Sequence, residues 1–207
     1  MNNKKIKIIA LFGKSASGKD TIQKWIVSNC QNTKGIVSCT TRPPREGEID
    51  GVNYHFLSVE EFTKKVLDGT MLEATAFRDW FYGTPIEALD PAAFNIGVFN
   101  IAGLEAINQD SRLEVYPVYV WASGKTRLLR SLERETSPNC EEICRRYFAD
   151  EKDFSELEED FEYAFLDNDK EDSLSSIVST LENSFYHAGW ESLIHDLLGD
   201  KTKMGQF

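Results

Sequence analysis

Residues 13–20 constrain the fold of this chain more than any other segment. They read Gly-Lys-Ser-Ala-Ser-Gly-Lys-Asp, which fits the spacing G-x-x-x-x-G-K. An isoleucine-rich apolar run at 5–12 precedes them, and 21–30 follows with apolar residues at helical spacing. Strand, glycine-rich loop and helix in this order predict the start of a βαβ unit, and therefore an α/β fold with a buried parallel sheet.

This segment, called the phosphate loop below, has the residues that a polyphosphate site needs. Glycines let successive backbone N–H groups turn inward around an anion, and the following helix adds its N-terminal dipole. The alternative is a chance glycine-rich turn, but the strand before this segment and the helix after it are the context that the motif requires. We therefore expect a nucleoside triphosphate to bind here. The expected ligands are Gly13, Ser15, Ala16, Ser17, Gly18, Lys19, Asp20 and Thr21, with Lys19 reaching the β- and γ-phosphates.

Asp20 occupies the position at which this motif usually has serine or threonine, whose hydroxyl binds Mg²⁺. A carboxylate can also bind Mg²⁺, directly or through water, because this ion favours hard oxygen ligands. Thr21 is the next residue and is an alternative ligand. We expect Mg²⁺ as the cofactor and Asp20 as its candidate ligand.

Composition limits the remaining functions. The 207 residues suit one α/β domain with small insertions, and the net charge of −11 disfavours a nucleic-acid partner. No segment is long and apolar enough to predict a membrane span. Cys140 and Cys144 lie four apart without an accompanying histidine, so no zinc site is expected, and the four cysteines indicate reduced cytoplasmic thiols. We expect a cytoplasmic monomer or homodimer that binds small molecules, without nucleic-acid or membrane partners.

Hydrophobic periodicity and turn residues predict the other elements. Strands are expected at 5–12, 35–38, 72–77, 80–82, 96–100, 115–120 and 163–166, and helices at 21–30, 59–68, 126–135, 141–154 and 173–181. Ser58 and Glu61 form a capping-box pattern, and Gly69 marks the end of that helix. In the tail 183–207 an amphipathic helix is expected, and packing on the domain is favoured over partner binding.

A turn-rich stretch at 40–53 contains two arginines three positions apart, Arg42 and Arg45. Each guanidinium offers a planar set of donors that matches phosphate oxygens. Tyr54 follows, and Glu73 and Tyr82 come nine positions apart further along the chain. These residues predict a second phosphate site, on the side of a phosphorylated acceptor.

In this region the chain resembles the guanylate kinase family. The segment SCTTRPPREGEIDGVNYHF carries the resemblance, and so does LEATAFRDWFYGT. The resemblance extends in order over 6–182 and implies a P-loop NTPase fold, with helices on both faces of a parallel-sheet core. It also implies an acceptor-binding insertion at about 39–92, a helical lid at about 135–147 and a final Asn168-Asp169 pair. Residues 183–207 would form a C-terminal helical extension.

The resemblance implies a role for each matching residue on the acceptor side. The phosphate of GMP would be held by Arg42, Arg45, Tyr54 and Tyr82. Guanine would be recognised by Ser38 and Glu73, with Glu73 accepting from N1–H and the 2-amino group, and Thr84 and Asn100 would lie near the base. A site with these buried polar groups rejects adenine, which would leave them unpaired.

On the donor side the resemblance implies ATP and three lid arginines. Arg134 and Arg146 would stabilise the transferring phosphoryl group together with Lys19, and these three are the expected catalytic residues. Arg130 would bind ATP, and Asn168 would lie beside its adenine. The alternative for the arginines is a solvated helix face.

Two departures from the family pattern concern the metal site. The family usually has Asp-Ile-Asp followed by x-Gln-Gly at the end of a central strand, and here Val98 and Asn100 replace the two carboxylates. We hypothesise that Asp20 takes over as the Mg²⁺ anchor. Ribose 1,5-bisphosphate phosphokinases share Gly-Lys-Asp in the loop and an Asn at the strand end, but they lack the TTRPPR…YHF segment of this chain.

The predicted function is therefore Mg²⁺-dependent transfer of a phosphoryl group from ATP to GMP or dGMP, forming ADP and GDP or dGDP. One alternative is a kinase of the same fold acting on ribose 1,5-bisphosphate or another nucleoside monophosphate. The other is a non-catalytic guanylate-kinase-like module that binds proteins. Such modules have typically lost the phosphate loop, whereas this chain retains Gly13, Gly18 and Lys19.

Overall fold

The computed structural model describes residues 5–77, 79–155, 162–169, 175–187 and 190–198. The chain forms two compact units, which are described separately. Unit 1 contains Met1–Ala10 and Asn32–Tyr116, and unit 2 contains Leu11–Gln31 and Pro117–Phe207.

The bounds of the strands and helices agree with most of the sequence predictions. The strands are β1 (Ile6–Phe12), β2 (Thr33–Gly35), β3 (Cys39–Thr40), β4 (His55–Phe56), β5 (Met71–Phe77), β6 (Trp80–Pro85), β7 (Phe94–Val98), β8 (Leu113–Trp121) and β9 (Ala164–Asp167). The helices are α1 (Lys19–Asn29), α2 (Val59–Leu67), α3 (Ile101–Asn108), α4 (Gly124–Glu133), α5 (Cys140–Asp153), α6 (Ser175–His187) and α7 (Glu191–Leu198). The second strand ends at Gly35, where the predicted strand 35–38 begins, and β3, β4 and α3 were not predicted.

The strands form two sheets. The five-stranded sheet has the order β2-β7-β1-β8-β9, and the pairs β2–β7 and β8–β9 are parallel. This parallel sheet with helices between its strands confirms the predicted α/β class. The four-stranded sheet has the order β4-β3-β6-β5, with β6 antiparallel to both of its neighbours. It lies wholly within unit 1 and within the predicted insertion 39–92.

Unit 1 has its own apolar core and two well-capped helices. Ser58 caps α2 in the predicted capping box with Glu61. Asn100 caps α3, its side chain accepting from the N–H of Gly103 at 2.7 Å. Burial of side chains in β1, β7, α2 and α3 forms the core, which includes Ile8, Ile9, Phe62, Phe94, Ile96, Leu104 and Ile107.

In unit 2, apolar side chains are buried around the second half of β8 and helix α1. Its buried side chains include Phe12, Ile22, Ile26, Val118, Val120, Leu166 and Phe185. The tail helix α7 packs here, because Leu193 and Leu197 are buried and the N–H of Gln31 donates to the carbonyl of Leu197 at 3.1 Å. Packing on the domain, the favoured interpretation of the tail, is confirmed for α7. The predicted domain end at 182 falls inside α6.

Candidate active site

The phosphate loop has the backbone conformation that its glycines predict. Gly13 and Gly18 have φ of 143° and 98°, and Ala16 between them has φ of 59°. A Cβ on Gly13 would lie 2.3 Å from the carbonyl oxygen of Val120, and one on Gly18 would lie 2.2 Å from Nδ2 of Asn168. Neither position has room for a side chain, so the close packing of the loop requires glycine twice.

Lys19, the first residue of α1, folds back across the loop. Its Nζ donates to the carbonyl oxygens of Gly13 at 2.7 Å and Lys14 at 2.9 Å. Burial lowers the pKa of Lys19, while the nearby carboxylates of Asp20 and Asp150 act in the opposite direction. The ammonium group is therefore held over the loop, where it is available to a bound polyphosphate. Asp20 is exposed in the first turn of α1.

Two residues predicted for ATP binding meet the loop from other elements of unit 2. Nδ2 of Asn168 donates to the carbonyl of Ser17 at 2.7 Å. Arg130, on α4, donates to the same carbonyl at 3.3 Å and to the carbonyl of Asn168 at 2.9 Å. Asn168 follows β9 and is held by its own N–H, which donates to Trp121 at 2.8 Å. Arg130 and Asn168 thus support one edge of the loop.

The two predicted catalytic arginines lie at the end of α4 and on α5. Arg134 is the C-cap residue directly after α4, and its guanidinium is 3.5 Å from the carboxylate of Glu135. Arg146 lies on α5, 3.3 Å from Glu142 and largely buried. These ion pairs do not by themselves bring either arginine to the loop, and the catalytic role of both stays a prediction.

A buried charged cluster that the sequence did not indicate lies beside the loop. Arg127 is 3% exposed, and its guanidinium contacts the carboxylates of Asp150 at 3.8 Å and Glu151 at 2.5 Å. Asp150 accepts from the N–H of Ser15 at 2.7 Å, and Glu151 accepts from Lys14 at 2.6 Å. One turn separates Arg127 from Arg130 on α4, which was the available signal, but the acidic partners of Arg127 are over twenty residues away in sequence.

The acceptor-side arginines, in unit 1, meet on one carboxylate. Nη2 of Arg42 donates to both oxygens of Glu48 at 2.9 Å, and the N–H of Arg45 donates to Glu48 at 2.7 Å. The guanidinium of Arg42 lies 5.6 Å from the ring centre of Tyr54, which is 6.1 Å from that of Tyr82. The four residues predicted to hold phosphate therefore form one cluster. Glu48, which orients both arginines, was missed.

The residues predicted to recognise the base form a second cluster on strands β5 and β6 and beside β3. Glu73 pairs with Thr84 across the strands and is 9% exposed. Burial raises the pKa of Glu73 to about 7, although the hydroxyl and N–H of Thr84 both donate to it and lower the pKa. Oγ of Ser38 is 3.4 Å from Oγ1 of Thr84. Ser38, Glu73 and Thr84 thus make a buried polar surface with one carboxylate.

Asn100 connects this surface to α3. Its Nδ2 donates to Oγ1 of Thr75 at 2.9 Å, while its Oδ1 caps the helix. A Cβ on Gly103 would lie 3.2 Å from Oε2 of Glu73, so the first turn of α3 lies against the carboxylate. Thr75 was not predicted as a site residue, and only its register two residues after Glu73 could have indicated it.

Comparison with known proteins decides the family. The family model described as "Guanylate kinase" matches residues 5–184 of the 207. The chain belongs to the guanylate kinase family. This confirms the resemblance inferred from the sequence, together with the prediction of a phosphotransferase.

Relatives and a solved structure agree with this membership. A guanylate kinase from Helicobacter pylori is 32% identical over 187 residues, covering 86% of this chain and 87% of that protein. A guanylate kinase from Clostridium perfringens is 29% identical over 184 residues, covering 87% and 84%. The crystal structure of a guanylate kinase from Anaplasma phagocytophilum aligns with a TM-score of 0.60 at 22% identity, covering 92% and 87%, and supports the fold.

The guanylate kinase match includes the phosphate loop in unit 2 and, in unit 1, the residues predicted to bind the acceptor phosphate and the base. It ends within α6, so α7 lies outside it. Within the described part of the chain no three His, Cys, Asp or Glu residues group as a metal site, and no helix there could span a bilayer. All four cysteines are free thiols.

Proposed function

We propose that this chain transfers the γ-phosphoryl group of ATP to the phosphate of GMP or dGMP. The bond between the γ-phosphorus and the bridging oxygen of ATP breaks, and a bond from an acceptor phosphate oxygen to that phosphorus forms, giving ADP and GDP or dGDP. The acceptor oxygen is already anionic, so no general base is required. Catalysis then depends on positioning and on positive charge around the phosphoryl group.

The buried carboxylate of Glu73 carries this proposal. Guanine presents two adjacent donors, N1–H and the 2-amino group, to a carboxylate, whereas adenine presents an acceptor at N1. Glu73 is 9% exposed and holds Thr84, which is 3.4 Å from Ser38. A buried acceptor of this kind favours guanine strongly, because adenine would leave it unpaired.

The acceptor phosphate is assigned to Arg42, Arg45, Tyr54 and Tyr82. Arg42 is 4% exposed and keeps its guanidinium in place through Glu48 and through the carbonyl of Pro43 at 2.7 Å. Holding the arginines before the ligand arrives reduces the conformational entropy that binding would cost. A phosphate in this cluster would receive donors from guanidinium and phenol groups.

On the donor side, the phosphate loop and Lys19 bind the triphosphate, with support from Arg130 and Asn168. Lys19 spans the loop by its bonds to Gly13 and Lys14, and this supports a position over the β- and γ-phosphates. Arg134 and Arg146 are assigned to the charge that develops on the transferring phosphoryl group. Arg146 lies in the predicted lid segment 135–147 and Arg134 directly precedes it, and these positions support the assignment.

Magnesium fits the donor side through Asp20. Mg²⁺ retains several waters and needs only one or two protein carboxylates beside substrate phosphates. Asp20 is exposed in the first turn of α1, directly after Lys19, and its carboxylate is a hard oxygen ligand. The ion would neutralise charge on the β- and γ-phosphates when bound. Thr21 is the alternative ligand from the same turn.

An acceptor panel tests the proposed function. The purified chain is assayed for ADP release from ATP with GMP, dGMP, AMP, dTMP and ribose 1,5-bisphosphate, with and without Mg²⁺. We expect release with GMP or dGMP alone, at least a hundredfold above AMP, and dependent on Mg²⁺. Release only with ribose 1,5-bisphosphate would transfer the assignment to that acceptor. GMP binding without release of ADP would indicate a binding module.

The free thiols are consistent with a reducing compartment, and we assign the reaction to the cytoplasm.

A further inference from the structure

The carboxylate of Asp150 lies on the phosphate loop. Asp150 belongs to α5 and is 2% exposed, and its Oδ2 accepts from the N–H of Ser15 at 2.7 Å. Ser15 is the third residue of the loop, whose backbone N–H groups are the donors that a polyphosphate needs. A protein carboxylate therefore occupies a donor at which a nucleotide's anionic oxygen would bind.

The charges around Asp150 are those that also attract phosphate. Its carboxylate is 3.8 Å from the buried guanidinium of Arg127, and its charge partly opposes the lowering of the Lys19 pKa by burial. The positive charges of Arg127 and Lys19 therefore act on this carboxylate as well as on an anion bound in the phosphate loop. A phosphate that approached Ser15 would meet a negative charge already in place, in a buried region where screening by salt is weak.

The next residue forms a different contact. Glu151 binds side chains, Nζ of Lys14 at 2.6 Å and Nη2 of Arg127 at 2.5 Å, and is far more exposed than Asp150. Adjacent carboxylates on α5 therefore hold the loop in two ways, and only Asp150 uses a backbone N–H. Removal of the Asp150 carboxylate would still leave Arg127 paired with Glu151.

We propose that Asp150 acts as an internal competitor of the donor nucleotide, which must displace its carboxylate from Ser15 before the loop is fully available. The inference rests on the proposed function, in which ATP is the donor. Donor binding is then coupled to release of α5 from the loop, and the intrinsic affinity for ATP is lowered. Asp150 is a residue that sets donor affinity in this chain and does not itself touch the reacting atoms.

The experiment compares the dissociation constant of ATP for the full chain and for Asp150→Asn, measured by titration calorimetry in EDTA without acceptor. The amide keeps the size of the side chain and removes its charge, so we expect ATP to bind about tenfold more tightly. Asp153→Asn is the matched control, because Asp153 is exposed on the same helix and its substitution removes the same charge. We expect it to bind ATP within twofold of the parent. Equal or weaker binding by Asp150→Asn would overturn the inference, and so would equal tightening by both variants.

A measurement on the unchanged chain covers the case in which Asp150→Asn does not fold. Structures of the full chain are determined with and without ATP in EDTA. We expect the Asp150 carboxylate to contact Ser15 only without ATP, and a contact retained beside bound ATP would overturn the inference. The acceptor panel judges the proposed function separately. If the parent phosphorylates GMP but Asp150→Asn does not bind ATP more tightly, only this inference is wrong. If Asp150→Asn binds ATP more tightly but the parent does not phosphorylate GMP, only the proposed acceptor is wrong.

Discussion

At the scale of single residues, Glu73 shows how burial changes the chemistry of an ordinary side chain. Its pKa rises to about 7 because the carboxylate is removed from water, and the two donors of Thr84 compensate only in part. The residue therefore titrates in the physiological range. Its protonation state, which no sequence pattern indicates, decides whether it can accept from a guanine.

Binding of GMP should release protons near pH 7. The N1–H and 2-amino donors favour the ionised carboxylate, so binding lowers the pKa of Glu73 and affinity falls as pH drops below about 7. The fall approaches roughly tenfold for each pH unit, as expected for one proton. Calorimetry in two buffers of different ionisation enthalpy measures the release. Glu73→Gln is the control, since it retains the titration of the GMP phosphate. Equal proton release by the parent and this variant would exclude Glu73 as the source.

The same pKa predicts how stability depends on pH. Glu73 binds its proton more tightly in the folded chain than in the unfolded chain, so the free energy of unfolding falls as pH rises from 4.5 to about 7. At 1.36 kcal/mol per pH unit the loss is about 3 kcal/mol at most. Urea unfolding at pH 5 and pH 8 tests this. The parent should lose more stability than Glu73→Gln, and parallel losses would contradict the prediction.

Asp20→Asn should weaken the magnesium dependence of turnover. The amide retains one oxygen but loses the charge, and a hard divalent ion prefers the carboxylate. We expect the Mg²⁺ concentration for half-maximal rate to rise at least tenfold. Initial rates with ATP and GMP across a Mg²⁺ titration measure this, with Asp68→Asn as a control at an exposed carboxylate in unit 1. A titration curve that coincides with the parent's would contradict a role for Asp20 and would indicate that Thr21, or the nucleotide phosphates alone, bind the Mg²⁺.

At the scale of elements, the phosphate loop and α3 depend on different determinants. The loop needs two glycines because Val120 in β8 leaves no space for a side chain at Gly13, and Asn168 after β9 leaves none at Gly18. Helix α3 depends on Asn100, whose two polar atoms are used by the cap and by Thr75. A residue expected near the base therefore also has a structural role, which its placement at a strand end could not reveal.

Gly18→Ala should abolish ATP binding. The added methyl group would lie 2.2 Å from Nδ2 of Asn168, so the loop or Asn168 must move. Gly47→Ala is a matched control, because Gly47 also has positive φ, 78°, but no atom lies within 4 Å of the added Cβ. We expect Gly47→Ala to cost only about 1–2 kcal/mol of stability from its strained φ. Calorimetric ATP titration and urea unfolding measure both variants. ATP binding by Gly18→Ala within threefold of the parent would contradict the expected clash.

At the scale of the whole molecule, each compact unit contains one of the two predicted sites. The acceptor cluster, from Ser38 to Asn100, belongs to unit 1, and the phosphate loop with Arg130 and Asn168 belongs to unit 2. The two units should therefore respond to different nucleotides.

Hydrogen exchange with mass spectrometry should separate the two nucleotides. We expect GMP to slow exchange chiefly in peptides from 38–84, and ATP chiefly in 13–21 and 164–169, since a ligand lowers the population of open states where it binds. AMP at the same concentration is the control for the acceptor side. Protection of 13–21 by GMP alone would contradict the assignment of the acceptor to unit 1.

The sequence alone determined the features that depend on neighbouring residues. The phosphate loop follows from glycine spacing, and most helices and strands follow from periodicity and caps. The acceptor residues were predicted through the TTRPPR…YHF resemblance. Tertiary structure decided the contacts between distant segments, such as Asp150 on Ser15, 135 positions apart, and Asn168 on Ser17, 151 positions apart. It also decided the pKa of Glu73, because desolvation and the hydrogen bonds from Thr84 depend on which segments the fold packs around the carboxylate. Local sequence does not encode that packing.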